Sequence, residues 1–542
     1  MSKLLFTVFL IIFAFFLFAN ISNGYLWEDE GETAVLGQNT LKYGYPMAWD
    51  GKNLVTQEAG NDSNENRVWI HQSWLPFYIS AFSQKLFGKT TYGARFLFVL
   101  FGFFSFFLFC EFTKKIFNKP GHLLLSIFLF TTYIPLILHL RQGRYYSLVL
   151  FSSLWLINTY LDFIKSDNLK RPNNKMIILN FSAASIVLFH SHYFIFVYFF
   201  AGIFVHHLIY FRHNYKNYSI ITSLIPIFLI TFPWIFYTRI WEKGGQYNLI
   251  KFLSNIVKTF FEINIIFPLI FLVLLIPIYI HKRKNIPETK KVLLWPVVFA
   301  IFFISITPLI PSFHYLLPLI PIFIIFSTIF LIELYKKNKI IALLLLIIFV
   351  FSNLLTITPL YVLGAGKFLP KPTSSFYLKK AFYLKDFIYE ITHDYDGPIE
   401  GISNYLKSHA KPDDTLFVSY EAEPIIFYNN LKILRELPFK SPPNWIIIRN
   451  EKNRGGDFKW VLTKSIQILD QPNKKWNIEK GPVEEINYSY VMDYIKKNNY
   501  KSITINYPDL LWENGQSPLY HKFKTVTDAE KVIIYKHTKE ES

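Results

Sequence analysis

Residues 4–32 read LLFTVFLIIFAFFLFANISNGYLWEDEGE, an apolar run followed by four carboxylates within five positions. A helix needs about 20 apolar residues to cross the hydrocarbon core of a bilayer, so the run predicts a membrane span at 4–20. A carboxylate at mid-membrane costs about 2.5–3.5 kcal/mol on insertion scales, so the four at 28–32 must lie at or above the interface. The stretch therefore marks where the chain first leaves the membrane.

Further apolar runs follow the first one. Of the 542 residues, 52% are hydrophobic, and the long apolar runs are confined to residues 4–360. Ten further candidate spans are predicted, at 93–112, 121–138, 146–164, 176–190, 193–211, 219–239, 262–281, 292–309, 318–335 and 340–360. The residues after 360 have the composition of an ordinary soluble domain. The predicted fold class is a polytopic α-helical membrane protein of about eleven spans with an appended C-terminal domain.

Basic residues occupy alternate connections between these runs. They are Lys3, Lys114, Lys115, Lys119, Lys165, Lys170, Arg171, Lys175, Arg212, Lys216, Lys282, Arg283, Lys284, Lys290, Lys291, Lys336, Lys337 and Lys339. The positive-inside rule makes their side cytoplasmic, which predicts a cytoplasmic N-terminus, an extracytoplasmic C-terminus and a multi-pass protein of the cell membrane. These loops also account for the net charge of +18, so nucleic-acid binding is not indicated.

The first run has a second interpretation, as a cleaved signal peptide with Lys3 before it and Ala19 near a cut site. The ten runs that follow favour a retained helix. The one cysteine, Cys110, lies in an apolar run. A single cysteine excludes a disulfide framework, a cysteine-type zinc site and a CxxC redox motif.

The acidic cluster opens a long predicted outer loop at 21–92. The residues that follow, 33–41, predict a short helix, and Asp29 and Glu30 would lie just before it or in its first turn. Carboxylates are favoured there by the exposed backbone N–H groups. The cluster is therefore either a helix cap with a solvated acidic end, or a general base or metal site. Neighbouring carboxylates move each other's pKa values apart, which suits proton abstraction.

Other polar residues are predicted on the same outer side. Arg141 and Arg144 lie on a short connection, and Arg239 lies at the end of a span. Each either reaches towards lipid headgroups or binds a lipid phosphate through its guanidinium fork. His192 and His314 lie at outer turns and are either structural hydrogen-bonding residues or further phosphate contacts. The candidates for contacting an acceptor or forming a lid are Glu58, His71 and Tyr145.

Four stretches resemble the C-type (GT-C) superfamily of membrane glycosyltransferases, which includes protein O-mannosyltransferases, lipid A aminoarabinose transferases and rhizobial lipopolysaccharide core transferases. Asp29-Glu30 is similar to the acidic pair that opens the first outer loop of that family. The other similar stretches are SWLPFY at 73–78 with LFG at 86–88 and GARF at 93–96, QGRYYSL at 142–148, and HYLLPLIP at 314–321. In the last of these, His314 replaces an arginine. The resemblance covers roughly residues 1–335.

The resemblance implies a transferase that moves a sugar from a polyprenyl-phosphate donor to an acceptor hydroxyl at the outer membrane face, with inversion at the anomeric carbon. Asp29 would be the general base, and Glu30 would support it or orient the acceptor. Some members carry a second acidic residue just after the arginine of the second outer loop. Tyr145 stands there, which argues against a two-carboxylate mechanism and against a metal that bridges the loops. No obligatory metal is expected, with a divalent cation as the alternative.

Three parts are predicted along the chain. They are a glycosyltransferase-like membrane domain at 1–360, an interfacial linker at 361–395 and an extracytoplasmic α/β domain at 396–542. Two other functions suit the same layout: a transporter or flippase of lipid-linked saccharides, and a polymerase or ligase of such saccharides. The sequence shows no internal repeat of the kind common in transporters, and the acidic pair favours the transferase. The pattern identifies neither the sugar nor the acceptor.

Overall fold

The computed structural model describes most of the chain. The described residues are 3–57, 60, 62–165, 174–211, 216–243, 248–282, 291–307, 312–357, 380–435, 439–449, 460–462, 484–486, 488–518 and 520–538. Among the predicted site residues, Glu58 lies outside this set, and so do residues 361–379 of the predicted linker.

The described chain is mostly helical as far as residue 357, apart from the loop between α2 and α3. The helices are α1 (Lys3–Phe18), α2 (Glu28–Tyr43), α3 (Leu75–Phe87), α4 (Thr91–Ile116), α5 (Pro120–Thr132), α6 (Ile134–Leu140), α7 (Tyr146–Lys165), α8 (Asn174–Ser191), α9 (Tyr193–Phe211), α10 (Lys216–Thr238), α11 (Leu249–Ile266), α12 (Leu269–Lys282), α13 (Leu294–Ile306), α14 (Ile320–Lys337) and α15 (Lys339–Phe351). Two 3₁₀ helices, Ile240–Lys243 and Phe313–Leu319, complete this part.

Four of these helices are long and apolar enough to cross a membrane within the described residues. They are Thr91–Ile116, Tyr146–Lys165, Tyr193–Phe211 and Phe313–Lys337, the last including the preceding 3₁₀ turn. Two bent pairs raise the number to six, namely α5 with α6 at 58° and α11 with the start of α12 at 108°. Each remaining predicted span contains a shorter apolar helix. The protein is thus a mostly helical chain with four to six candidate spans, and the count of eleven stays a prediction.

Prolines coincide with both bends. Pro135 lies in the first turn of α6, and Pro268 separates α11 from α12. Proline has no N–H to donate and its ring obstructs the preceding turn, so a helix is interrupted there. Helix α11 already begins at Leu249, ahead of the predicted span at 262–281. Asn248 caps that helix by accepting a hydrogen bond from the Ile250 N–H at 2.8 Å.

Phenylalanine rings hold the first helices together. Phe109 on α4 stacks on Phe130 on α5 with ring centroids 4.2 Å apart. Phe13 on α1 lies 5.5 Å from Phe130 and 5.4 Å from Phe106. Offset and tilted aromatic pairs of this kind contribute about 0.5–1.5 kcal/mol beyond the area that they bury. The abundant phenylalanines therefore form a packed interior that connects the first predicted spans.

The C-terminal part is a small α/β unit. Its helices are α16 (Tyr383–Thr392), α17 (Pro398–His409), α18 (Ala422–Asn429) and α19 (Tyr488–Lys497). Its strands are β1 (Thr415–Val418), β2 (Lys432–Ile433), β3 (Trp445–Ile447), β4 (Trp460–Leu462), β5 (Glu484–Ile486), β6 (Tyr500–Pro508) and β7 (Lys531–His537). Five strands form a sheet in the order β2-β1-β3-β7-β6, in which β1 is parallel to β2 and β3 while β7 is antiparallel to β3 and β6. We call the sheet with α17–α19 the C-terminal module.

The C-terminal module lies against the first outer loop. At Gly31 on α2, an added Cβ would lie 2.5 Å from the backbone nitrogen of Pro424 on α18, so only glycine allows this approach. Asn514 donates a hydrogen bond to the Tyr25 carbonyl, and its own carbonyl accepts one from Gln142 at 3.1 Å. The module therefore contacts both α2 and the turn after α6.

Candidate active site

Helix α2 begins inside the acidic cluster. Glu28, Asp29 and Glu30 form its first turn, so it starts five residues before the predicted helix at 33–41. No side chain caps this end, and the exposed N–H groups of the first turn favour the carboxylates beside them. The helix ends at Gly44, whose φ of 84° is a left-handed conformation that glycine adopts without strain.

Glu30 is a buried structural partner. Its carboxylate is fully buried and accepts two hydrogen bonds from Arg95 on α4, at 2.8 and 2.6 Å. The Gly143 N–H donates a third at 2.7 Å. Gly143 is required at this turn, because an added Cβ would lie 2.8 Å from the Ala94 carbonyl oxygen. Glu30 thus joins α2, α4 and the turn at 141–145, and its predicted part in catalysis stays a prediction.

Asp29 lies beside Glu30 but in a different environment. Its side chain is 21% exposed, whereas Glu28, Glu30 and Glu32 are all buried. Arg144 donates from Nη2 to Asp29 Oδ2 at 3.0 Å, and Gln57 donates from Nε2 to Oδ1 at 3.1 Å. Asp29 is therefore the carboxylate of this cluster that can still reach a molecule from solution.

Glu32 is the second partner of Arg144. Arg144 Nη1 donates to Glu32 Oε1 at 2.6 Å and to the Thr33 hydroxyl at 3.1 Å. Burial raises the pKa of Glu32 to about 8, although Arg144 opposes the shift and Asp29 adds to it. The same two carboxylates hold the pKa of Arg144 well above its usual range. The guanidinium is hence a permanent cation between one partly exposed and one buried carboxyl group.

Imidazole and phenol rings surround the other side of Arg144. The Tyr145 ring lies 4.6 Å from the ring of His192 and 6.5 Å from that of His314. Burial and the nearby Arg144 lower the pKa of His192 to about 3, so its imidazole is neutral. Within the described chain, Arg144 Nε and His192 Nδ1 are buried without a hydrogen-bond partner of good geometry. The structure therefore brings Arg144, Tyr145, His192 and His314 together, with polar atoms still available for a ligand.

Arg141 and Arg239 have different surroundings from Arg144. Arg141 donates from Nη1 to the carbonyls of Phe16, Leu17 and Ala19 at 2.8–2.9 Å, which satisfies the C-terminal end of α1. Arg239 is exposed just after α10, with a positive φ of 47°. Phosphate binding by either residue stays a prediction, and the contacts of Arg141 are those of a helix cap.

The polar part of the outer loop folds back towards Asp29. Asp62 accepts hydrogen bonds from the Thr56 hydroxyl at 2.5 Å and from the Gln57 N–H at 3.0 Å. Its Oδ1 lies 3.9 Å from Nδ1 of His71. These contacts hold Gln57 where it reaches Asp29. His71 is 38% exposed at the edge of this segment, a position compatible with the predicted lid.

Several residues at the site were not among the predicted ones. Arg95 lies within the GARF stretch, so the motif contained a signal for it. Gln57, Glu423 and Arg435 carry no local signal, because each meets the site through contacts with chain segments far away in sequence. As for metals, no three His, Cys, Asp or Glu side chains of the described residues form a group that could hold an ion.

The comparison with family models gives no match for this chain, and neither does the comparison with curated proteins. Among solved structures, the chain is similar to ArnT from Cupriavidus metallidurans in the apo state, with a TM-score of 0.51 and 11% identity over 85% of this chain and 95% of that one. ArnT from the same organism bound to undecaprenyl phosphate gives a TM-score of 0.51 and 10% identity over 85% and 96%. The oligosaccharyltransferase of Archaeoglobus fulgidus gives a TM-score of 0.44 and 10% identity over 82% and 68%. The likeness to the two ArnT structures shows that this chain shares their fold, as the four sequence stretches lead one to expect.

Proposed function

We propose that this protein is a glycosyltransferase of the outer membrane face that moves a sugar from a polyprenyl-phosphate donor to an acceptor hydroxyl. The observation that carries the proposal is the arrangement of Asp29 and Arg144. A partly exposed carboxylate touches a buried, permanently charged guanidinium, and that guanidinium still has one N–H available. A base beside a phosphate-binding cation is what this transfer requires.

The chemical step follows from that pair. Asp29 takes the proton of the acceptor hydroxyl as its oxygen forms a bond to the anomeric carbon. The bond from that carbon to the phosphate oxygen breaks, and polyprenyl phosphate leaves with the electron pair. A single displacement of this kind inverts the anomeric configuration. Arg144 stabilises the charge that develops on the leaving phosphate, since a guanidinium fork matches phosphate oxygens.

The rings beside Arg144 complete the proposed phosphate site. His192 is neutral and buried, so it contributes a hydrogen bond rather than a charge. His314 and Tyr145 lie next to it. The ArnT structure with bound undecaprenyl phosphate supports a lipid-linked phosphate as the partner of a chain with this fold. The exposed Arg239 is the candidate for an outer contact with the same phosphate group.

The proposed topology has eleven crossings with the N-terminus in the cytoplasm. The acidic start of α2 and the C-terminal module then lie outside, in contact with each other. The lipid bilayer would take up the isoprenoid tail beside the aromatic spans. This orientation rests on the alternation of basic loops.

The test is incubation of the purified protein with a panel of undecaprenyl-phosphate sugars and membrane acceptors, with free undecaprenyl phosphate as the product measured. Release of the free lipid phosphate together with a glycosylated acceptor supports the transferase. If every donor stays intact, the protein is a flippase rather than a transferase. If only donors that carry a longer saccharide react, it is a polymerase or ligase. Either result would overturn the proposal.

The rate should depend on pH through Glu32. Below about pH 8 this carboxyl is protonated and neutral, so the charge of Arg144 is available to the donor phosphate. As the pH rises through about 8, Glu32 ionises and competes for the guanidinium, so the KM for the donor should increase. Folding raises the pKa of Glu32, so the folded state holds this proton more tightly than the unfolded state does. The free energy of unfolding therefore falls as the pH rises from the ordinary pKa of glutamate towards about 8.

Initial rates measured over a range of donor concentrations, below and above pH 8, give the donor KM at each pH. Glu32→Gln should remove the pH dependence of the donor KM, and Glu65→Gln, an exposed change in the same outer loop, should retain it. A Glu32→Gln enzyme whose donor KM still rises with pH would show that another group titrates.

Removal of divalent cations should leave the transfer rate unchanged. Arg144 and the polar groups around it already supply the positive charge and hydrogen bonds that the leaving phosphate needs. Dialysis against EDTA followed by a rate measurement checks this, with readdition of Mg²⁺, Mn²⁺ or Zn²⁺ as the control. A rate that is lost on chelation and returns with one of these ions would establish an obligatory metal.

A further inference from the structure

Two buried carboxyl groups meet where the C-terminal module contacts α2. Glu28 is the first residue of α2 and directly precedes Asp29, and Glu423 lies in the first turn of α18. Their exposed fractions are 7% and 0%. The two helices pack closely, since Gly31 and Pro424 are in contact one turn further along α2. The pair therefore lies where α2 and α18 pack closely.

The hydrogen bonds at this pair do not balance if both groups are ionised. Glu423 Oε1 accepts from Arg435 Nη2 at 2.5 Å and from the Thr56 N–H at 3.3 Å. Glu423 Oε2 and Glu28 Oε2 are buried, and no N–H or hydroxyl of the described residues donates to either. If both carboxyl groups were ionised, two neighbouring negative charges would be buried with an oxygen each that no donor reaches, which is strongly unfavourable. One proton on Glu28, donated to Glu423, satisfies both atoms at once.

The surroundings assign the proton to Glu28. Burial raises the pKa of Glu28 well above its ordinary value, and the nearby Glu423 and Glu421 raise it further. Arg435 and the hydrogen bond from Glu28 keep the pKa of Glu423 low despite burial. Glu28 is thus the donor, and Glu423 is the charged acceptor.

The same pair is connected to the proposed base by two short routes. In the first, Glu28 is adjacent to Asp29 in the first turn of α2. In the second, Glu423 accepts from the Thr56 N–H, and Arg435 donates to the Thr56 carbonyl at 3.3 Å. The next residue, Gln57, donates to Asp29. The C-terminal module therefore holds both the helix turn and the loop that determine where Asp29 points.

We propose that Glu28 and Glu423 share one proton and that, together with Arg435, they are positioning residues through which the C-terminal module holds Asp29 for proton abstraction. The inference rests on the proposed function for the role of Asp29, while the shared proton stands by itself. It gives the C-terminal module a task in the reaction. The module completes the site by fixing the base rather than by contacting the donor.

The pair also has a defined response to pH. The charged groups that act on Glu28 are Glu423, Glu421 and Arg435 from the C-terminal module. Asp29, Glu30 and Glu32 follow it on its own helix. When the pH exceeds the raised pKa, Glu28 ionises, and two adjacent carboxylates then repel each other. The contact between the module and α2 is favoured at lower pH and weakens as the pH rises.

The experiment compares Glu28→Gln, Glu28→Ala and Glu423→Gln, with Glu65→Gln as the matched exposed control. An amide at 28 can still donate to Glu423, so Glu28→Gln should retain most of the kcat. Glu28→Ala and Glu423→Gln should lower kcat about 10- to 150-fold, the range for losing a hydrogen bond to a charged group, with the donor KM unchanged. Glu28→Gln should also shift any alkaline loss of kcat to higher pH.

A measurement without turnover tests the proton itself. The infrared difference spectrum between wild type and Glu28→Gln should show loss of the carbonyl band of a protonated carboxylic acid, and Glu65→Gln should show none. The proposal is overturned if that band is absent from the difference spectrum, or if Glu28→Gln loses as much kcat as Glu28→Ala. A wild-type protein that is inactive on every donor would overturn the transferase function alone, because the infrared result does not depend on activity.

Discussion

Asp29→Asn is expected to lower the rate of sugar transfer by about 10²–10⁴-fold, the usual contribution of a general base. Asparagine has the same shape and can still accept a hydrogen bond from Arg144, but it cannot take a proton from the acceptor. Gln57 can turn its amide to accept from the new side chain, so the local structure should persist. Donor affinity should therefore stay close to that of the wild type, and the loss should appear in kcat.

The measurement is single-turnover release of undecaprenyl phosphate, with donor binding determined on the same preparation. Asp413→Asn, an exposed change on the C-terminal module, is the matched control. Wild-type turnover by Asp29→Asn would remove Asp29 as the base. A loss of donor affinity equal to the loss of rate would instead make Asp29 a binding residue.

Arg144→Ala should raise the donor KM roughly 10- to 150-fold, which corresponds to about 1.5–3 kcal/mol for a hydrogen bond to a charged group. The variant should still fold. Glu32, the buried carboxyl that loses its partner, already favours the neutral form because of burial, so it need not remain as an unpaired charge. Asp29 is partly exposed and can be solvated.

Initial rates over a range of donor concentrations separate the effect on KM from that on kcat, and a thermal unfolding curve verifies the fold. Arg144→Lys keeps a charge but lacks the two-ended fork, so its donor KM should lie between those of the alanine variant and the wild type. If the donor KM of Arg144→Ala equals that of the wild type, Arg144 does not bind the donor phosphate.

The membrane part of the fold could be predicted because its signal is local. The predicted apolar runs correspond to α1 and to helices from α4 to α15, and the alternation of basic loops needs no knowledge of contacts. The 58° and 108° bends were not anticipated, although Pro135 and Pro268 are visible in the sequence. A proline predicts an interruption but not the direction in which the chain continues.

The site was predictable in composition and less so in the role of each member. Asp29 and Arg144 were both selected, and the structure places them in contact. Arg141 was selected on the same grounds as Arg144, yet it satisfies carbonyls at the end of α1. Two arginines three residues apart on one short turn look equivalent in sequence, and only the packing of α1, α2 and α4 gives them different partners.

The C-terminal module also has features that could be predicted from the sequence and one that could not. Its strands and helices follow local propensity, in keeping with the α/β pattern predicted for this part of the chain. Its contact with α2 could not be predicted, because Glu423 and Glu28 are ordinary acidic residues until the fold brings them together. Long-range pairing carries no signature in a single sequence.

The hydrogen bonds that link Asn514 to Tyr25 and Gln142 have a consequence for biosynthesis. Tyr25 and Asn514 are 489 positions apart, so the ribosome makes Tyr25 long before it makes Asn514. Closing so long a loop is slow and entropically costly. The loop that carries Asp29 therefore lacks these contacts until the segment around Asn514 has been made and has reached the same side. A nascent chain that ends before Asn514 would thus lack the contacts that hold this loop against the C-terminal module.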